Sequence, residues 1–208
     1  MKGFVLALSC SLVFSSSVNA KTISDSEFVE LSQKCAPNVS ADTLKALVRT
    51  ESSYNPFAIA VVGGSVRQPN NLLSALNTVK ELEEKGMNYS LGLGQINKKN
   101  FKMLGVKPID MFEPCENLKA TQKILSNCYQ RTDKSKSEGK RLADAFSCYY
   151  SGNEITGYRH GYVQTVVRNA DVPSVKKITS QDLNISSKNT SSCEGLLCQS
   201  KSDNGLIF

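Results

Sequence analysis

Ser40-Ala41-Asp42-Thr43-Leu44-Lys45-Ala46-Leu47-Val48-Arg49-Thr50-Glu51-Ser52-Ser53-Tyr54-Asn55-Pro56-Phe57-Ala58 decides the reading of this chain. Ser40 is an N-cap residue, and Asp42 suits the positive end of a first helical turn. Leu44, Leu47 and Val48 repeat at helical spacing and mark one apolar face. The next step of that pattern, four residues beyond Leu47, falls on Glu51. A proline disfavours helical geometry in the residue before it, so Asn55-Pro56 ends the helix within a turn of Glu51. A carboxyl at the end of an apolar stripe has two readings. It is either a glutamate at the core rim with its head in water, or a partly desolvated acid. Desolvation raises a carboxyl pKa toward the range a general acid needs near neutral pH.

Outward from this helix, the 208 residues suffice for one domain with a real core. Residues 1–20 read as a signal peptide: Lys2 is followed by a largely apolar run from Gly3 to Phe14, and Val18-Asn19-Ala20 resembles a cleavage site. Cys10 lies inside that apolar run. No later stretch is long and apolar enough for a transmembrane anchor. The formal charge is +6, or +5 once Lys2 leaves with the signal, which favours an anionic envelope surface. No basic run interleaved with aromatics points to nucleic acid. Beyond the signal, Cys35, Cys115, Cys128, Cys148, Cys193 and Cys198 form an even set, which in an exported chain favours disulfides. A zinc site is disfavoured, because Cys-x-x-Cys is absent and His160 is the single histidine.

In chain order, residues 21–36 predict a short amphipathic helix ending near Cys35-Ala36-Pro37. Phe57 to Val66 predicts an extended segment or hairpin around Gly63-Gly64. Asn70 or Asn71 caps a long helix with Leu72, Leu73, Leu76, Val79 and Leu82 inward, stopped at Gly86. Asn97 caps a helix from Lys98 to Leu104. A third long helix runs from Cys115 to roughly Gln130, residues 131–140 form a loop, and a helix from Arg141 to Tyr150 stops at Gly152. Gly161-Tyr162-Val163 opens the last helix. From about residue 172 the composition turns to Ser, Asn, Lys, Gln and Thr, the signature of a flexible tail.

Three further stretches matter for chemistry. Ser90-Leu91-Gly92-Leu93-Gly94-Gln95 reads as a tight turn into a helix, or as a place where a ligand approaches backbone closely. It is not a phosphate cradle, because no Gly-Lys-Ser/Thr follows. Gln95 can offer an amide to a sugar hydroxyl or acetamido group. Tyr149-Tyr150-Ser151-Gly152 ends one helix, and Tyr162-Val163 opens another; both fit packing as well as a site.

In this order and spacing, the four stretches closely resemble the lytic transglycosylases with a goose-lysozyme-like SLT domain. Glu-Ser-x-aromatic-Asn-Pro-x-Ala is matched by Glu51, Ser52, Tyr54, Asn55, Pro56 and Ala58. Gly-Leu-x-Gln is matched by Gly92, Leu93, Gly94 and Gln95. The Tyr-Asn-x-Gly and Tyr-Val segments are matched by Tyr149 to Gly152 and by Tyr162-Val163. The resemblance covers about residues 35–168. It looks closest to the subgroup that accompanies type IV secretion or conjugation systems. Two positions depart from the family pattern: Tyr150 stands where an asparagine is expected, and Ala60 where many members have serine.

The resemblance implies a mainly α, α+β lysozyme-like domain over residues 21–171, with a short β-hairpin or extended segment. It implies cleavage of the β-1,4 bond between N-acetylmuramic acid and N-acetylglucosamine, with Glu51 catalytic and a 1,6-anhydromuramyl product. Ser52, Ser90, Gly92, Leu93, Gln95, Tyr149 and Tyr162 are the expected substrate-binding residues. Tyr149 is expected to hydrogen-bond near Glu51 and Tyr162 to flank it. No metal or organic cofactor is implied. The expected partners are peptidoglycan glycan strands and components of a type IV secretion or conjugation apparatus, and the expected compartment is the periplasm. A lysozyme-type hydrolase using the same Glu51, and a non-catalytic wall-binding assembly protein, are the alternatives. Within one helix Cys115 and Cys128 lie roughly 20 Å apart, beyond bridging reach. The favoured disulfide pairs are Cys35 with Cys115 and Cys128 with Cys148, with Cys193 and Cys198 closing a small loop.

Overall fold

A computed structural model describes residues 22–170. The signal-peptide reading, the tail and the Cys193–Cys198 loop lie outside these residues. The described part is mainly helical with one small antiparallel sheet, as the sequence predicts. Helix α1 (Asp25–Cys35) is capped by Ser24, and α2 (Ala41–Ser52) by Ser40, whose side chain accepts from the Thr43 N–H. α2 stops immediately after Glu51 because Ser53 and then Tyr54 take left-handed backbone geometry, with φ of 50° and 64°. That conformation is strained for a residue with a bulky side chain. Tyr54 is held there by burial: its ring packs edge-on against Phe28 at 5.1 Å, and its hydroxyl donates to the Lys45 carbonyl.

Strand β1 (Ile59–Val61) follows, then α3 (Leu72–Glu84) with Asn71 as the cap, then β2 (Tyr89–Leu91) and β3 (Ile96–Asn97). The sheet order is β1-β2-β3, with Ile59 opposite Leu91 and Leu91 opposite Ile96. Of the two expectations for residues 57–66, the extended segment is met by β1 and the hairpin is not. There, only a single bridge joins Val61 and Gly64, and β1 finds its main partner beyond α3. Side-chain alternation sends Ile59, Leu91 and Ile96 into the core, and Ala60, Ser90 and Asn97 to the opposite face.

A 3-10 turn (Lys98–Asn100) leads into the short α4 (Phe101–Leu104), and a second 3-10 segment (Pro108–Phe112) leads into α5 (Pro114–Arg131). α6 (Glu138–Ser151) starts three residues before the expected Arg141. Ser137 caps it, and Glu138 sits in its first turn, so charges that read as loop belong to a helix start. A one-turn α7 (Thr156–Arg159), not expected from the sequence, precedes α8 (Tyr162–Ala170).

Two cores result. The larger gathers Phe28, Leu44, Leu47, Val48, Leu118, Leu125, Phe146 and Val166, where α2 packs on α8 and α5 on α6. The smaller lies under the sheet, around Val79, Tyr89, Leu91, Phe101 and Met111. Cys35 is bonded to Cys115 and Cys128 to Cys148, tying α1 to α5 and α5 to α6. Among the described residues no helix is long and apolar enough to cross a membrane.

Candidate active site

Glu51 sits at the last turn of α2, partly buried, at the seam where α2 meets α8. Desolvation pushes its carboxyl up to about 7, against a hydrogen bond from the Tyr162 hydroxyl that lowers it. Burial therefore dominates, and the desolvated-acid reading prevails over the rim reading. No second carboxylate among the described residues contributes to its shift. Asp144 illustrates the contrast. It is buried too, and burial alone would raise its pKa. Lys136, Lys140 and Tyr158, all hydrogen-bonded to it, outweigh burial and hold it below the usual carboxylate range.

The two tyrosines divide the work differently from the expectation. Tyr162, expected only to flank, is the residue whose hydroxyl donates to Glu51. Tyr149 donates instead to the Gly94 carbonyl at 2.6 Å. Burial raises both phenols, and Glu51 raises them further, so both stay protonated as donors. Through Tyr149 the Gly92–Gln95 turn is joined to the helix that faces Glu51.

That turn connects β2 to β3 and is not a helix start. Gly92 takes φ 74°, and a side chain there would meet the Met111 carbonyl at 2.1 Å. A side chain on Gly94 would meet the Thr121 hydroxyl at 2.0 Å. Both glycines therefore serve close backbone packing. Leu93, expected to touch substrate, is fully buried in the larger core, where its side chain anchors the turn. Gln95 donates its amide nitrogen to the carbonyls of Ala58 (3.0 Å) and Gly92 (2.9 Å). Ser52 donates to the Val48 carbonyl. Ser90 accepts from Asn97 and lies directly opposite Ala60 across the β1–β2 pair, on the same face.

Sequence reasoning missed Asn117 as a site-building residue. It is 0% exposed, and its amide nitrogen donates to Leu91 and Met111 while its oxygen accepts from the Gly94 N–H at 2.8 Å. One side chain thus satisfies three backbone groups around the turn. The available signal was spacing: Asn117, Thr121 and Leu125 are four apart on one face, so a polar residue stands in line with core. Asn117→Ala leaves those groups buried and unpaired. The expected cost is about 3 kcal/mol, read from urea unfolding, with lost turnover because the turn loosens.

Glu51 is thus a desolvated acid under a tyrosine donor, and Tyr149, whose phenol it raises, ties the Gly92–Gln95 turn to α6. The sequence pattern of the transglycosylase SLT domain matches residues 29–170. The chain belongs to the transglycosylase SLT domain family. The type IV secretion system protein virB1 of Brucella abortus biovar 1 (strain 9-941) is 46% identical over 153 residues, covering 70% of this chain and 64% of that protein. Protein virB1 of Agrobacterium tumefaciens (strain 15955) is 33% identical over 162 residues, covering 77% and 68%. The matched part is thus just under two thirds of the Brucella relative's length. No solved structure gives a significant match. Within this SLT domain, no cluster of three or more His, Cys, Asp or Glu among the described residues is placed to hold a metal.

Proposed function

We propose that the protein is a peptidoglycan lytic transglycosylase of the periplasm that opens the cell wall for a type IV secretion or conjugation apparatus. The observation that carries the chemistry is Glu51, a single desolvated carboxyl near pKa 7 held by the Tyr162 hydroxyl. Membership of the SLT domain family and the names of the virB1 relatives support the substrate and the setting.

The protonated Glu51 gives its proton to the glycosidic oxygen between N-acetylmuramic acid and N-acetylglucosamine. The C1–O bond breaks as the substrate's own acetamido oxygen bonds to C1. Glu51, now a carboxylate, takes the proton of the muramyl 6-hydroxyl. O6 displaces the acetamido oxygen at C1 and closes the 1,6-anhydro ring. Glu51 ends as it began, and no water is consumed. One enzymic carboxyl suffices, whereas common glycosidases need a pair. Gln95, through its amide oxygen, accepts from sugar N–H or O–H groups. Ser90 supplies, from the face it shares with Ala60, the hydroxyl that Ala60 lacks.

The pH profile follows from the sign of the shift. The first step needs protonated Glu51, so the rate falls as pH rises through about 7. Tyr162→Phe removes the interaction that favours the carboxylate, so this falling limb moves to higher pH while the maximum rate drops about tenfold or more. A pH–rate profile of both proteins checks it. The reaction class is tested on purified cell wall. Soluble glycan release without a matching rise in reducing ends is expected. An equal rise would assign a lysozyme-type hydrolase, and no release would assign a wall-binding protein.

A further inference from the structure

Tyr150 stands where this chain departs from the Tyr-Asn pair, and it is 45% exposed, so burial does not explain its placement. Its ring lies nearly parallel on Tyr162, with centroids 4.6 Å apart and planes 21° apart. Its hydroxyl is 3.1 Å from Nδ1 of His160, whose ring meets it edge-on. Between these two contacts lies Gly161, in left-handed geometry at φ 71°, the corner joining α7 to α8. Tyr150 therefore grips that corner on both sides. Tyr162 is the first residue of α8, its ring lies buried in the larger core with one face under Tyr150, and its hydroxyl donates to Glu51. An asparagine at position 150 has no ring to stack on Tyr162.

We propose that Tyr150 is a positioning residue that holds the Tyr162 hydroxyl against Glu51, with His160 pinning the Tyr150 ring. The role is indirect, through Tyr162, and it rests on Glu51 being the acid of the reaction above.

The test reads the Glu51 carboxyl directly by NMR titration, which does not depend on turnover. The titratable groups that face this carboxyl are Tyr162 from α8 and Tyr149 from α6, with Tyr150 acting on Tyr162. Tyr162→Phe raises the Glu51 midpoint by roughly 0.5. Tyr150→Leu keeps bulk over the site but loses the stack, and shifts the midpoint in the same direction. The double variant shifts no further than Tyr162→Phe alone, because Tyr150 acts through Tyr162. Tyr150→Phe keeps the stack but loses the hydroxyl contact with His160, so its midpoint lies between those of the wild type and Tyr150→Leu. On solubilised glycan strands, Tyr150→Leu lowers kcat about three- to tenfold with KM within about twofold. An unchanged midpoint in Tyr150→Leu overturns the proposal, as does a shift that adds fully to that of Tyr162→Phe. A raised KM with unchanged kcat also overturns it, since that marks a sugar contact. If the wild-type protein releases no glycan, the functional reading fails while the titration still decides the role of Tyr150.

Discussion

Glu51→Gln should abolish turnover of cell wall, by about a thousandfold or more, while the fold persists. The magnitude is what a general acid–base group contributes to catalysis, and no neighbouring carboxylate is placed to substitute. Glutamine keeps the shape and removes the proton. The same substitution should also stabilise the protein, with a sign fixed by the shift. A carboxyl whose folded pKa stands above its unfolded value makes its full contribution to stability below the unfolded pKa, near 4.5. That contribution is lost as pH rises through the folded pKa, near 7. Above that, ionised Glu51 opposes folding by up to about 3 kcal/mol, and glutamine does not. Urea unfolding should show Glu51→Gln more stable than wild type at pH 8 and equal to it near pH 4. Equal stability at both would mean that the carboxyl is not desolvated.

Loss of the Cys35–Cys115 bond has the second large effect. It joins the end of α1 to the start of α5 across 80 residues of chain. Closing a loop of that length lowers the entropy of the unfolded chain by an amount equivalent to about 4.5 kcal/mol in the chain-entropy description. The Cys128–Cys148 bond spans only 20 residues and is worth about 3 kcal/mol on the same basis. Cys35 is also buried in the larger core, so its replacement disturbs packing as well. The double variant Cys35→Ala, Cys115→Ala should melt roughly 10 °C lower or more, read by circular dichroism. An unchanged melting temperature would show that the α1–α5 contact holds without the bond.

How far the sequence reached depends on the length of the pattern that each feature needs. α2, α3, α5 and α8 carry an apolar stripe over two turns or more, and caps such as Ser40 and Asn71 mark their starts. Their existence was legible, and so was Glu51 as the anomaly in the α2 stripe. The sheet was not. Its strands have two or three residues, too few for a period of two to show, and β1 pairs across the whole of α3. The role of the Gly92–Gln95 turn as a β2–β3 connection was lost with it. The site was legible as residue types and only partly as roles. Glycines at 92 and 94 left a tight turn and close approach of a ligand both open; where their Cβ atoms would stand, the neighbours are Met111, Asn117 and Thr121. The exchange of tasks between Tyr149 and Tyr162 depends on how α6 and α8 cross, which no local pattern encodes.

The fate of the glycosidic bond decides the reaction class. The protein, correctly oxidised, is incubated with peptidoglycan in water enriched in heavy oxygen, beside Glu51→Gln, and the soluble products are analysed by mass spectrometry. Intramolecular attack by the 6-hydroxyl predicts anhydromuramyl ends, one water lighter than hydrolysed fragments and free of heavy oxygen, from the wild type alone. Fragments with reducing ends that carry heavy oxygen would contradict it.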